Sequence, residues 1–236
     1  MSLAFVNKGN EIRNTEKIKR KKCKEGNKLK EKEELSSSGW DAITNECNRI
    51  YPNQENPKHY GTLISWKFGG NDPLDGISIY DGGNYWHFVT YGLSELYEKE
   101  TDDTEYSGYG MEFTFKLKKD NDEDEEQEIK CICGILQTIA RITFNKGEIF
   151  NPFEYLYTGQ TVGIDAKQKS NITGFITVPD DKFQTLNTPN GKVEFVEFVG
   201  VTNKEIEAVK NKELKVKELY EKLGSGITDY NRQSVL

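Results

Sequence analysis

The stretch Gly69-Gly70-Asn71-Asp72-Pro73-Leu74-Asp75-Gly76-Ile77-Ser78-Ile79-Tyr80, continued by Asp81-Gly82-Gly83-Asn84 and Tyr85-Trp86-His87-Phe88-Val89-Thr90-Tyr91-Gly92, decides how this chain folds. A turn of Gly, Asn, Asp and Pro leads into a short alternating strand from Ile77 to Tyr80. Asp81 to Asn84 then reverses the chain into a strand with bulky residues on both sides. Tyr85, His87, Val89 and Tyr91 share one face and Trp86, Phe88 and Thr90 the other, because side chains alternate along a strand. A strand this bulky on both sides is expected at the centre of a sheet, covered above and below. Gly92 ends it.

Upstream, Trp40, Ile43, Cys47 and Ile50 recur at spacings of three and four, so Gly39 to Tyr51 is expected to be a helix with one apolar face. Pro52 stops it. Tyr60 to Phe68 reads as a strand ended by Gly69-Gly70. Downstream, Glu98 to Tyr106 is an acidic loop. Met111, Phe113, Phe115 and Leu117 alternate with Glu112, Thr114 and Lys116, which predicts a strand with one wet face. A run of carboxylates from Asp120 to Glu128 precedes an amphipathic helix over 129–144, where negative charge suits the helix N-terminus. Asn145-Lys146-Gly147 supplies its C-terminal cap. Phe150 to Tyr157 is an aromatic loop, Gln160 to Ile164 a short strand and Ile172 to Val178 another. Over Lys192 to Val201, Glu197 interrupts an otherwise apolar strand face. Charged surface helices over 203–210 and 213–223 and a short terminal strand complete the chain. Strands and helices interleave without regular alternation, which predicts an α+β fold: a mixed, mostly antiparallel sheet with helices packed against it.

Residues 1–38 differ in composition from the rest, with a basic block at Lys17 to Lys24 and a net charge of +5, against −12 for residues 39–236. Two units are therefore expected: a basic tail or linker over 1–38 and a folded domain over 39–236. The acidic body repels nucleic acid and attracts cationic partners; the tail could bind nucleic acid or a partner, or serve as a linker. No apolar run approaches the roughly 18 residues that a membrane span needs. Leu3-Ala4-Phe5-Val6 is too short for a signal-peptide core. Cys131 and Cys133 fall on different faces of a helix and read as core thiols, and a cytoplasmic setting is expected.

Catalytic and metal motifs do not emerge. His59 and His87 stand alone, without a second histidine or a cysteine at ligand spacing. His87, between Trp86 and Phe88, reads as a hydrogen-bonded core residue. Asp72 and Asp75 sit in turn dipeptides. The glycines lack a phosphate-loop or dinucleotide pattern. A hydrolase or metal enzyme would have to work through His87 or scattered acids. No catalytic residue, metal ligand or cofactor is therefore assigned.

The opening words, in their order, resemble the Suppressor-of-fused family. Ser107-Gly108-Tyr109-Gly110-Met111-Glu112-Phe113-Thr114-Phe115, Thr188-Pro189-Asn190-Gly191-Lys192-Val193-Glu194-Phe195 and Tyr51-Pro52-Asn53-Gln54 with Pro57 agree with it. The likeness runs from about Gly39 to the end and covers the first of the two lobes of the animal proteins. Those proteins are non-enzymatic regulators that hold a zinc-finger transcription factor, gripping an extended peptide partly by strand addition. Ile142 and Gln160 stand where the animal proteins carry a tyrosine and an aspartate that contact this peptide, so a different ligand is implied. Single-lobe bacterial relatives are linked to polymorphic toxin systems as immunity proteins. The resemblance therefore implies a protein-binding antitoxin that neutralises a cognate toxin, here a basic toxin domain, or else a regulator that sequesters another cytoplasmic protein. Phe144, Phe150, Phe153, Tyr155, Tyr157 and Gln160 are the expected partner-binding residues, since aromatic side chains beside a strand edge make good anchors. The alternative is that these aromatics close the bottom of the core.

Overall fold

The computed structural model describes residues 6–7, 37–120 and 124–236. In chain order the elements are β1 (Val6–Asn7), α1 (Ser38–Ile50), β2 (Lys58–Gly61), a 3-10 turn (Trp66–Phe68), β3 (Gly76–Asp81), β4 (Tyr85–Tyr91), β5 (Tyr106–Lys118), α2 (Glu125–Lys146), β6 (Tyr155–Leu156), β7 (Ile172–Pro179), β8 (Leu186–Thr188), β9 (Gly191–Thr202), α3 (Asn203–Lys210) and α4 (Val216–Leu223). The tail expected over 1–38 lies outside the described residues except for β1 and the start of α1.

The quoted hairpin is β3 and β4, in a register that sets Ile79 opposite Phe88 and Tyr80 opposite His87. At its turn the Asp81 carboxylate accepts the Gly83 N–H at 2.7 Å. The sheet runs β1-β6-β7-β9-β5-β4-β3-β2, with β8 attached to β9. Among the described strands only the β5–β9 pair is parallel; the other neighbours are antiparallel. The sheet is thus mixed and mostly antiparallel, and the hairpin lies inside it.

Helices cover both faces. On one, the α2 stripe of Ile129, Ile132, Leu136, Ile139 and Ala140 packs on Ile77, Ile79, Phe88, Phe113, Phe115 and Phe198. Asp124 caps the start of α2 by accepting the Gln127 N–H, and Gly147 (φ 71°) ends it in a left-handed conformation. On the other face there are two separate covers. Ile43 and Cys47 of α1 pack on Tyr80, Val89, Tyr91 and Phe195. Ile206 and Val209 of α3, with Val216 and Leu219 of α4, pack on Ile176, Val178, Val199 and Val201. Burying these apolar faces is the main driving force for assembling the layers.

Several expectations change. The strand expected over 60–68 stops at Gly61, because its partner β3 begins opposite it at Gly76. Beyond that point the Ser65 carbonyl accepts the Phe68 and Gly70 N–H groups at 2.9 and 3.1 Å, forming a turn that leaves Leu63, Ile64 and Phe68 exposed. No strand forms over 160–164: the Gln160 N–H donates to Thr158 Oγ1 at 3.2 Å and its side-chain amide to Val162 O at 2.9 Å, and just beyond, the Asp165 carboxylate gathers the Lys169 and Ser170 N–H groups at 2.8 and 2.7 Å. The second of the C-terminal helices starts at Val216 rather than at residue 213. The terminal strand is a single bridge: the Thr228 N–H donates to Lys116 O at 2.8 Å, and Lys118 N–H to Thr228 O at 2.9 Å. The wet face expected for β5 is buried: Glu112, Thr114 and Lys116 are closed off from solvent.

Candidate functional site

The buried polar face of β5 organises a cluster in the gap between the α1 cover and the α3–α4 cover. His87 of β4 points into this gap. Its Nδ1 meets the Tyr51 hydroxyl at 2.7 Å and its Nε2 meets Asp180 Oδ2 at 2.9 Å. Thr114 donates its hydroxyl to the same Asp180 oxygen at 2.7 Å. Lys116 donates to Asp180 at 3.2 Å, to Asp181 at 2.5 Å and to Glu197 at 2.9 Å. Of these groups only Asp181 reaches solvent, its side chain 60% exposed. The chain crosses Glu197 at Gly226, where an added Cβ would come within 2.5 Å of Glu197 Oε1.

The electrostatics follow from three carboxylates sharing one ammonium. Burial lowers the His87 pKa, against the pull of Asp180, so the ring is neutral. Burial also opposes ionisation of Asp180, but His87, Lys116 and Thr114 outweigh it and hold the carboxyl below its usual range. Burial would lower Lys116, yet Glu197 and Asp180 keep it firmly protonated. Glu197, with burial and the nearby Asp180 charge against it, is pushed up to about 8. One of its oxygens has no hydrogen-bond partner.

Chemically, the His87–Asp180 pair has the form of a base and its orienting carboxylate. However, both ring nitrogens are committed and the ring is buried. The Asp180, Asp181 and Glu197 carboxylates lie within 4.8 Å of one another, the spacing of a metal site, but Lys116 donates to all three. The cluster ties α1, β4, β5 and β9 together. A neighbouring carboxylate, Glu112, works similarly: it accepts from Thr90 Oγ1, Gly92 N, Ser94 N and Ser94 Oγ at 2.6–3.0 Å and fixes the chain after β4. His59 is exposed and pairs through Nδ1 with Ser78 Oγ at 3.0 Å. Asp72 pairs with Arg141 of α2 at 2.5 Å.

The six expected partner-binding residues are distributed over both faces of the sheet. Phe144, at the end of α2, is half-buried against Trp66 and Tyr109, with ring centroids at 5.7 and 5.2 Å. Phe150 is buried between Phe113 and Phe198, at 5.6 and 5.3 Å. Tyr155 and Tyr157 flank Leu156 and pack, half-buried, on the opposite face with α3 and α4; Lys210 Nζ sits 4.0 Å from the Tyr157 ring centroid. Phe153 is 41% exposed and holds a left-handed conformation, φ 66°. Gln160 lies in the turn after β6 and donates to Val162 O at 2.9 Å. Phe153, Tyr155 and Tyr157 are therefore neighbours along one edge, whereas Phe150 is buried in the core on the α2 side of the sheet. The backbone edge of β6 is paired over two residues with β1, Val6 opposite Leu156 and Asn7 opposite Tyr155.

The sequence reading did not find the Lys116–Asp180–Glu197 cluster or the Glu112 box. Its available signal was Glu197 in an otherwise apolar register: a charge in phase with buried positions has to find a partner.

Comparison with known proteins agrees with this geometry. The family model of Suppressor of fused protein (SUFU) matches residues 70–233. Suppressor of fused homologs from Homo sapiens and Mus musculus are each 29% identical over 181 residues, which is 71% of this chain and 36% of theirs. The chain thus spans about a third of the length of these curated relatives. Among solved structures, a chain of the Sufu–Fu complex superposes with a TM-score of 0.74 at 28% identity, over 85% of this chain and 93% of that one. Drosophila Suppressor of Fused gives 0.70 at 28% identity, over 85% and 52%. A SUFU homolog from Neisseria gonorrhoeae shares the fold at 13% identity, with a TM-score of 0.51 over 83% and 96%. The matched family model takes in the central hairpin, the parallel β5–β9 pair and all of α2, α3 and α4, and the chain belongs to the Suppressor of fused family.

Proposed function

We propose that this chain is a non-enzymatic protein-binding module that captures a protein partner stoichiometrically in the cytoplasm, and that it is an immunity protein neutralising a basic toxin domain. The observation that carries the reading is its likeness to a Sufu chain whose structure is that of a complex with Fu. The internal commitment of His87 and Lys116 agrees with it, because these groups spend their chemistry on holding the fold. The charge of −12 on residues 39–236 favours a cationic partner and speeds encounter with it. The Fu complex also favours the second reading, sequestration of another regulatory protein such as a transcription factor. In both cases residues 39–236 form the binding unit and residues 1–38 a basic extension.

The contact region is the β6 edge, with Phe153, Tyr155, Tyr157 and Gln160 outermost, Phe144 at the end of α2 and Phe150 beneath. A partner strand could add there by taking the place of Val6–Asn7. Co-expression with a toxin-domain protein encoded beside this chain tests the reading. Restored growth and a 1:1 complex by light scattering, with neither protein consumed, are expected. Tyr155→Ala with Tyr157→Ala should weaken the complex while the chain stays folded at the assay temperature; unaltered affinity would move the face elsewhere. Absence of a complex with the toxin domain overturns the immunity reading.

A further inference from the structure

Scattered apolar side chains are ordinary on a protein surface, but several on one short turn are not. In the loop joining β2 to β3, Leu63 is 103% exposed, Ile64 59% and Phe68 84%. The loop is built rather than loose. Trp66 turns inward onto Phe144, ring edge to face at 5.7 Å, and anchors it to the end of α2. The Ser65 carbonyl accepts two N–H groups, and the Thr62 N–H donates to Asp75 O at 3.1 Å. Gly70 packs so closely that an added Cβ would lie 1.9 Å from Ile64 O. The loop therefore presents three large apolar side chains on a fixed frame, at little entropic cost to a partner.

Its surroundings are acidic. Lys67 of the loop pairs with Glu100, so the acidic segment after β4 lies alongside. Tyr97, itself 42% exposed, lies close enough to Asp75 and Lys67 to feel their charges. Glu98, Glu100, Asp102 and Asp103 are all exposed, while the Lys99 ammonium is turned back onto Glu95 at 3.0 Å. Charge then decides among the possible occupants. An anionic bilayer and a second copy of the −12 body are both repelled. A protein whose apolar cleft is rimmed by lysine and arginine is attracted.

We infer that the β2–β3 loop is a docking knob that inserts Leu63, Ile64 and Phe68 into an apolar cleft of a basic protein partner. The three exposed side chains are not part of the β6-edge face, which adjoins the loop only through Phe144 under Trp66, and their docking does not depend on the capture proposed there.

The test uses the full chain and a labelled amphipathic helical peptide of leucine and lysine as the probe, followed by fluorescence anisotropy. Wild type should bind it, and Leu63→Ser/Ile64→Ser/Phe68→Ser should lose at least about tenfold in affinity, the scale of a lost anchor cluster. Because the three side chains are exposed, the melting temperature should hold; if the triple variant unfolds, Phe68→Ser alone reads the same difference. Glu98→Gln/Glu100→Gln should slow association and flatten its salt dependence. Failure of wild type to bind, or equal binding by the loop variant, overturns the inference. Loop-dependent binding to phosphatidylserine vesicles would make the surface a membrane contact instead. Loop-dependent self-association in sedimentation would make it a homotypic one.

Discussion

Phe88 and Trp86 share a face of β4 yet differ in what covers them. Phe88 is 0% exposed, inside the cluster under α2. Trp86 is half-buried, with Lys58 and Lys119 ammonium groups 4.6 and 4.0 Å from its ring. The alternation alone puts Trp86 and Phe88 equally under cover; the structure closes that cover fully over Phe88 and only in part over Trp86. Urea unfolding should give a loss of about 3–5 kcal/mol for Phe88→Ala, the usual cost of emptying a buried aromatic site. Trp86→Ala should cost only about 1–2 kcal/mol, since much of its contact is the amphipathic stems and charges of two lysines. Equal losses would mean that the far end of β4 is covered as well as its middle. Glu197 carries a pH signature. Its pKa is about 8 in the folded chain, against 4.5 for a solvated glutamate, so the folded state binds the proton more tightly. Its contribution to stability is then greatest below pH 4.5 and falls as pH rises toward 8, by at most about 1.4 kcal/mol per pH unit. Glu197→Gln should flatten stability between pH 5 and 8. Glu112, raised by burial to about 7, keeps part of the slope below pH 7. A variant with the wild-type slope would show that Glu197 stays ionised beside Lys116.

At the scale of elements, β1 shows where local pattern stops being informative. Two residues carry no periodicity, and only the free edge of β6 gives Val6–Asn7 a place in the sheet. Val6→Pro removes an N–H from that ladder and distorts the pairing. Hydrogen exchange should then quicken for the peptide spanning 153–158, while peptides from α2 keep their protection. Unchanged exchange over 153–158 would mean that the β6 edge is open. Elements with a strong repeat were legible in advance: α1, α2, β3, β4, β7 and β9 follow from apolar spacing and turn residues. The end of β2 was not, because Leu63 and Ile64 look like strand residues while the length of β3 decides where pairing stops. The same holds for Gln160 to Ile164, where local bonds among Thr158, Gln160 and Val162 stand in place of a ladder. The site was less legible than the fold. Lys116, Asp180 and Glu197 are far apart in sequence, and their meeting depends on the parallel β5–β9 pairing that no local feature announces.

For the whole molecule, all three apolar clusters share one sheet, so losing any layer exposes the others. Unfolding should be a single cooperative transition. The clusters draw their buried members from residues 43–219 and so do not depend on the first 36 residues. What those residues contribute among the described contacts is the two-residue ladder of β1 on β6. Such a ladder adds one or two backbone hydrogen bonds, each worth about 0.5–1.5 kcal/mol net. For a chain of this size about 1 kcal/mol moves the melting temperature by roughly 2–4 °C. Deleting residues 1–36 should therefore leave a single transition, lowered by no more than about 12 °C, with an unchanged denaturant slope. A fall well beyond about 12 °C, or a second transition, would place part of the basic segment against the body as a structural component. A midpoint within that limit would support a domain that folds through residues 37–236 alone, with the basic segment left for another role.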